Sequence, residues 1–127
     1  MKYFKEQLSK NNRVAQNFFI YLKDERVEIK PEEIIYIEAD VNYTKFVTNS
    51  CHFTTSFHLG FFEKSLESKP NFLRINKSHL LNINYLQGLD WTKTTKEAQL
   101  HDGTCLPISR RKARALKDLL WERVNAK

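Results

Sequence analysis

Residues 96–112 read Lys96-Glu97-Ala98-Gln99-Leu100-His101-Asp102-Gly103-Thr104-Cys105-Leu106-Pro107-Ile108-Ser109-Arg110-Arg111-Lys112, a β-hairpin running into a helix. Two short runs, 96–100 and 104–108, bracket His101-Asp102-Gly103. Asp-Gly supplies the positive φ of a tight turn, so the runs are expected to pair antiparallel. Ser109 stands where a side-chain oxygen caps a helix start. Ala113, Leu116, Leu120 and Val124 follow at three- and four-residue spacing, the single apolar stripe of a helix packed along one face.

Upstream, the pattern stays mostly β. Segments 18–22 and 26–29 flank Asp24-Glu25 as a hairpin, and Pro31 with Glu32-Glu33 ends it. Residues 34–39 are rich in β-branched side chains. Residues 43–48 and 52–57 form a further hairpin about Asn49-Ser50. Around Gly60 the spacing becomes helical over 59–66, and Pro70 closes that segment. Short strands are expected at 72–75, 80–83 and 85–89. The fold class is therefore mainly β, built of antiparallel sheets with one short internal helix and a C-terminal helix. Residues 1–17 are polar with scattered apolar positions, loosely compatible with a helix and equally with a linker or arm. They are assigned as an N-terminal extension, with the domain at 18–127.

Composition narrows the function. The 127 residues suffice for one domain with a core. Residues 1–70 carry ten Lys/Arg and ten Asp/Glu, and residues 71–127 carry eleven and five. The whole net charge of +6 thus sits in the C-terminal half, which suits a polyanionic partner. No apolar run reaches membrane-spanning length, and the first residues are too polar for a secretory signal. A cytoplasmic protein is expected, with Cys51 and Cys105 as free thiols. The four His have no metal-ligand spacing, and there is no phosphate-binding Gly-rich loop, so neither enzyme activity nor a cofactor nor a metal is expected.

Three loci could meet a ligand. Arg110, Arg111, Lys112 and Arg114 crowd the first turn of the last helix, against its macrodipole. They are a phosphate site beside free N–H groups, or else a solvated basic face. Phe72-Leu73-Arg74-Ile75-Asn76-Lys77-Ser78-His79-Leu80-Leu81-Asn82 carries a polar tip, Asn76-Lys77-Ser78, between apolar runs. Those side chains can read base edges or grip phosphate, or else cap backbone at a hairpin corner; backbone capping is the expectation for Asn82. Asp40-Val41-Asn42-Tyr43-Thr44-Lys45 is a polar loop between strands, either a binding loop on a rigid scaffold or a plain connection.

In this order the three loci resemble the LytTR domain of bacterial transcriptional regulators. Ile35-Tyr36-Ile37-Glu38-Ala39-Asp40-Val41-Asn42-Tyr43-Thr44 is similar to its strand ending in Ile-Glu and its Asn-Tyr loop. Residues 72–82 resemble its Phe-x-Arg-x-His-Arg-Ser-Tyr-x-x-Asn signature. Asp102-Gly103 and Pro107-Ile108-Ser109-Arg110-Arg111 resemble its final hairpin and Ser-Arg-Arg. The resemblance covers about residues 18–120. It implies elongated antiparallel sheets whose loops enter successive major grooves of double-stranded DNA. Carried over by position, DNA is met by Asn42, Tyr43, Thr44 and Lys45, by Asn76, Lys77 and Ser78, and by Arg110 and Arg111. Asn76 stands for the family's His, Lys77 for its Arg and His79 for its Tyr, so the DNA sequence read is expected to differ. The resemblance further implies direct-repeat sites, pairing of two copies on DNA, and a receiver domain or sensor-kinase pathway upstream. No receiver fits into residues 1–17, which leaves an effector domain or, as Met1 suggests, a free-standing regulator. The alternative is an RNA- or protein-binding module on the same basic β scaffold.

Overall fold

The computed structural model describes residues 4–6, 17–22 and 25–126. Its strands are β1 (Phe4–Glu6), β2 (Phe18–Leu22), β3 (Glu25–Ile29), β4 (Ile34–Ala39), β5 (Thr44–Thr48), β6 (His52–Thr55), β7 (Phe72–Asn76), β8 (His79–Asn82), β9 (Leu86–Asp90), β10 (Lys96–Leu100) and β11 (Cys105–Ile108). Helix α1 spans Leu59–Ser65 and α2 spans Arg110–Asn125. All pairings are antiparallel, in three sheets ordered β1-β2-β3, β6-β5-β4-β8-β7 and β11-β10-β9. Within the N-terminal extension, Phe4–Glu6 form not a helix but a strand on β2, opposite Phe18–Ile20. That pairing gives the backbone groups along this edge of β2 their partners. Residues 1–3 and 7–16 lie outside the described set.

The central five-stranded sheet is covered on both faces. This explains why Ile34-Ile35-Tyr36-Ile37 and Leu80-Leu81 are unbroken apolar runs, not alternating ones. One face buries Ile37, Phe46, Phe72 and Leu80 against Ile29 of β3 and Leu59, Phe62 and Leu66 in and after α1. Phe46 and Phe62 meet edge to face at 4.8 Å. The other face buries Ile35, Val47, Ile75 and Leu81 against Leu86, Ala98, Leu100, Leu106 and Ile108 of the C-terminal sheet and Ala113 and Leu120 of α2. The expected helical stripe is the buried one, with Leu116 and Val124 half-buried beside it. Full burial of a side chain such as Leu120 contributes roughly 1.5–3 kcal/mol.

Local chemistry fixes the last two elements. Gly103 adopts φ +93° at the hairpin turn, and Asp102 Oδ1 accepts from Thr104 N at 3.0 Å. Ser109 caps α2 by accepting from Lys112 N at 3.2 Å. Both thiols are free and exposed.

Candidate nucleic-acid interface

Antiparallel pairing brings two of the three loci to one end of the central sheet. Glu38 near the end of β4 lies opposite His79 at the start of β8, so the loop after β4 and the corner before β8 are neighbours. Ala39 N donates to Ser78 O at 2.8 Å and ties them together. The third locus is tied to the same corner. Ser109 N donates to Ile75 O at 3.0 Å, and Asn76 Nδ2 donates to Pro107 O at 2.6 Å. Segments around residues 40, 77 and 110, far apart in sequence, thereby form one continuous surface.

The first loop is a compact turn. Asp40 N donates to Tyr43 O at 2.8 Å, and Asp40 Oδ1 accepts from Val41 N at 2.7 Å. Val41, Asn42 and Tyr43 are exposed. A hydrogen bond with Asp40, and that residue's charge, raise the Tyr43 pKa above the ordinary phenol value, so the hydroxyl stays neutral at physiological pH. The structure corrects the expectation for Thr44. It is 1% exposed, because it lies two residues before the core Phe46 and points to the same inward face. Its side chain is not presented to a partner. Lys45 points the other way, half-buried, with Nζ 3.6 Å from Glu38 Oε1.

Lys45, Glu38, His79 and Asn76 are successive cross-strand neighbours on β5, β4, β8 and β7. His79 Nε2 is 3.8 Å from Glu38 Oε2, and its Nδ1 lies 3.1 Å from Asn76 Nδ2. Burial lowers the His79 pKa; Glu38 pulls it up and Lys45 lowers it further. Asn76 Oδ1 also accepts from Ser78 N at 2.6 Å. The Asn76 amide is thus occupied inside the protein. Ser78 is half-buried and Lys77 is exposed at the turn.

Sequence reasoning did not assign a role to Arg74. Its half-buried guanidinium donates to Asn76 O at 2.9 Å, to Lys77 O at 2.7 Å and to Glu63 Oε1 of α1 at 2.5 Å. The signal available was a cation at an otherwise apolar strand position, where a buried charge needs partners. Lys77, Arg111 and Lys112 line a groove with Arg74 and Glu63. Beyond Asn76 and Ser109 a second groove is lined by Arg110, Arg114, Lys117, Lys96 and Trp91. Arg110, Arg111, Arg114 and Lys117 are exposed, and no acid stands in the first turn of α2. The basic excess read from sequence is therefore gathered around the corner.

Residues 24–121 match the model of the LytTr DNA-binding domain. The chain belongs to the LytTR DNA-binding domain family. It is 30% identical over 95 residues to the sensory transduction protein LytT of Bacillus subtilis (strain 168), covering 74% of this chain and 39% of that protein. It is 26% identical over 103 residues to the heme-containing CO-sensing transcriptional regulator RcoM 1 of Paraburkholderia xenovorans (strain LB400), covering 80% of this chain and 38% of the relative. This LytTR domain thus spans about two fifths of those relatives. Its fold matches a solved LytTr DNA-binding domain from Bacillus cereus with a TM-score of 0.72 and 21% identity, over 84% of this chain and 97% of that one. Among the described residues no helix is long and apolar enough to cross a membrane, and no cluster of His, Cys, Asp and Glu could hold a metal ion.

Proposed function

We propose that this LytTR domain binds a specific sequence in double-stranded DNA and acts, without enzymatic activity, in bacterial transcription regulation in the cytoplasm. One observation carries the reading: the 40–43 loop, the Lys77 corner and the β11–α2 junction are hydrogen-bonded into one surface at one end of a rigid sheet. Loops held on such a scaffold meet DNA in fixed register, which base readout in the major groove requires. Lys77 and Arg111, exposed on one groove, are the base-reading cations, together with Asn42 and Tyr43 of the first loop. Arg110 contacts the backbone beside them, and Ser78 has its hydroxyl near phosphate. Asn76 and Lys45 act from the second rank: one holds Lys77 and Arg111 in relation to each other, the other adds charge under the loop. The sensory and transcriptional names of the relatives favour a domain that answers to a signal-input module. Two copies on direct repeats follow from the same reading.

Binding to a promoter duplex, a random duplex and an RNA hairpin, each across a salt series, tests it. A promoter preference of about 10³-fold or more that survives moderate salt is expected. Equal binding to all three, falling together with salt, would replace it with a general polyanion-binding module.

A further inference from the structure

Among the described residues three large apolar side chains are markedly exposed, and two of them, Val41 (89%) and Tyr43 (42%), occupy the same four-residue loop. A lone exposed valine is ordinary on a protein surface. This one differs in its setting. It stands at the tip of a turn closed by the Asp40 N–Tyr43 O and Val41 N–Asp40 Oδ1 bonds, and that turn is anchored to the Lys77 corner through Ala39 and Ser78. The β-branched side chain is stiff about χ1 and has no polar atom. Its neighbours Asp40 and Asn42 are polar, so the tip offers one small apolar knob between hydrogen-bonding groups. In the major groove the one apolar feature of a base edge is the C5-methyl group of thymine.

Resting on the DNA-binding reading above, we propose that Val41 determines specificity by packing against a thymine methyl group in the major groove. Lys77 and Arg111 supply the polar half of readout, and Val41 supplies apolar discrimination at a separate base pair. The contact is small. One methyl group removed from water against an aliphatic side chain corresponds to about three- to fivefold in affinity.

Replacing thymine by uracil removes that methyl and nothing else. A duplex enriched by the wild-type chain from a randomised pool is remade with each thymine exchanged singly for uracil, and every duplex is titrated with wild type and Val41→Ala. Because Val41 packs against no core residue, the variant keeps the fold, which far-UV circular dichroism checks. At one thymine, uracil is expected to weaken wild-type binding about three- to fivefold and to leave Val41→Ala unaffected. The proposal is overturned if no thymine is uracil-sensitive, or if every sensitive position stays equally sensitive in Val41→Ala, while preference for the enriched duplex persists. If no duplex is enriched over random DNA, the DNA-binding reading itself fails, and this assignment with it.

Discussion

The Asn76 side-chain amide donates to the carbonyl of Pro107, 31 residues away, at 2.6 Å. Its oxygen accepts from Ser78 N at 2.6 Å in the same arrangement. One side chain thus fixes the shape of the β7–β8 corner and docks the segment that leads into α2. Asn76→Ala leaves Pro107 O and Ser78 N without these partners; Pro107 is exposed, but Ser78 is half-buried, and its donor left unpaired costs about 1–3 kcal/mol. Urea denaturation is expected to report a loss in that range. A variant as stable as wild type would mean that water replaces the amide without penalty.

Lys77 and Arg111 should behave differently from Arg114 and Lys117. Truncating a base-reading cation to alanine is expected to cost about 1–3 kcal/mol on the preferred duplex and much less on random DNA. Truncating Arg114 or Lys117 should weaken both duplexes alike, or neither, and flatten the salt slope by at most about one unit. Titrations of the four variants against both duplexes at several salt concentrations check this. Equal losses on both duplexes for Lys77→Ala and Arg111→Ala would assign specificity to the first loop or to DNA shape.

His79 makes stability depend on mildly acidic pH. Its pKa in the folded domain lies below the ordinary 6.5, chiefly through burial. Between the ordinary and the lowered value the unfolded chain binds more protons than the folded one, so stability falls as pH falls through that window. Its contribution is fully present above the ordinary value. Denaturant midpoints measured at successive pH values should therefore show a shallower decline below pH 6.5 for His79→Gln than for wild type. Identical slopes would remove His79 as the cause.

Asn82 is a structural counterpart. It is 0% exposed, donates from Nδ2 to Ile34 O at 2.9 Å, and accepts at Oδ1 from Asn71 Nδ2 at 2.9 Å and Asn84 N at 3.0 Å. Asn82→Leu strands the Ile34 carbonyl in the core. Thermal melting should drop by an amount equivalent to about 2–4 kcal/mol, because the buried Ile34 carbonyl and the half-buried Asn71 amide both lose a partner. Asn82→Asp should also destabilise, since it removes the donor and puts a carboxylate at a buried position. A melting temperature within error of wild type for the leucine variant would contradict the capping role.

The sequence by itself determined most of the elements from residue 18 onward and the buried face of the last helix. Asp102-Gly103 forced a hairpin because few other pairs accept positive φ, Ser109 marked the start of α2, and the 113–116–120–124 stripe named its buried face. The backbone-capping role of Asn82 was legible from the residue type at a strand end, although the carbonyl it serves, Ile34 O, is 48 residues away. The three candidate loci were legible as polar or basic breaks between apolar runs. The pairing of Phe4–Glu6 with β2 was not, since a three-residue strand is set by the edge it completes. Only the tertiary structure decided which side chains face out at the candidate site. Thr44 and Val41 both belong to a polar-looking loop, yet strand alternation turns Thr44 into the core with Phe46 while the turn lifts Val41 clear of it. Asn76 read as a possible DNA contact and Arg74 had no role assigned, yet the polar atoms of both are occupied by carbonyls, an amide and a carboxylate contributed by α1, β11 and the corner itself. Glu63 and Pro107 lie 11 and 31 residues away from the side chains they meet, and burial forces a polar group to find whichever partner the packing brings within hydrogen-bond reach.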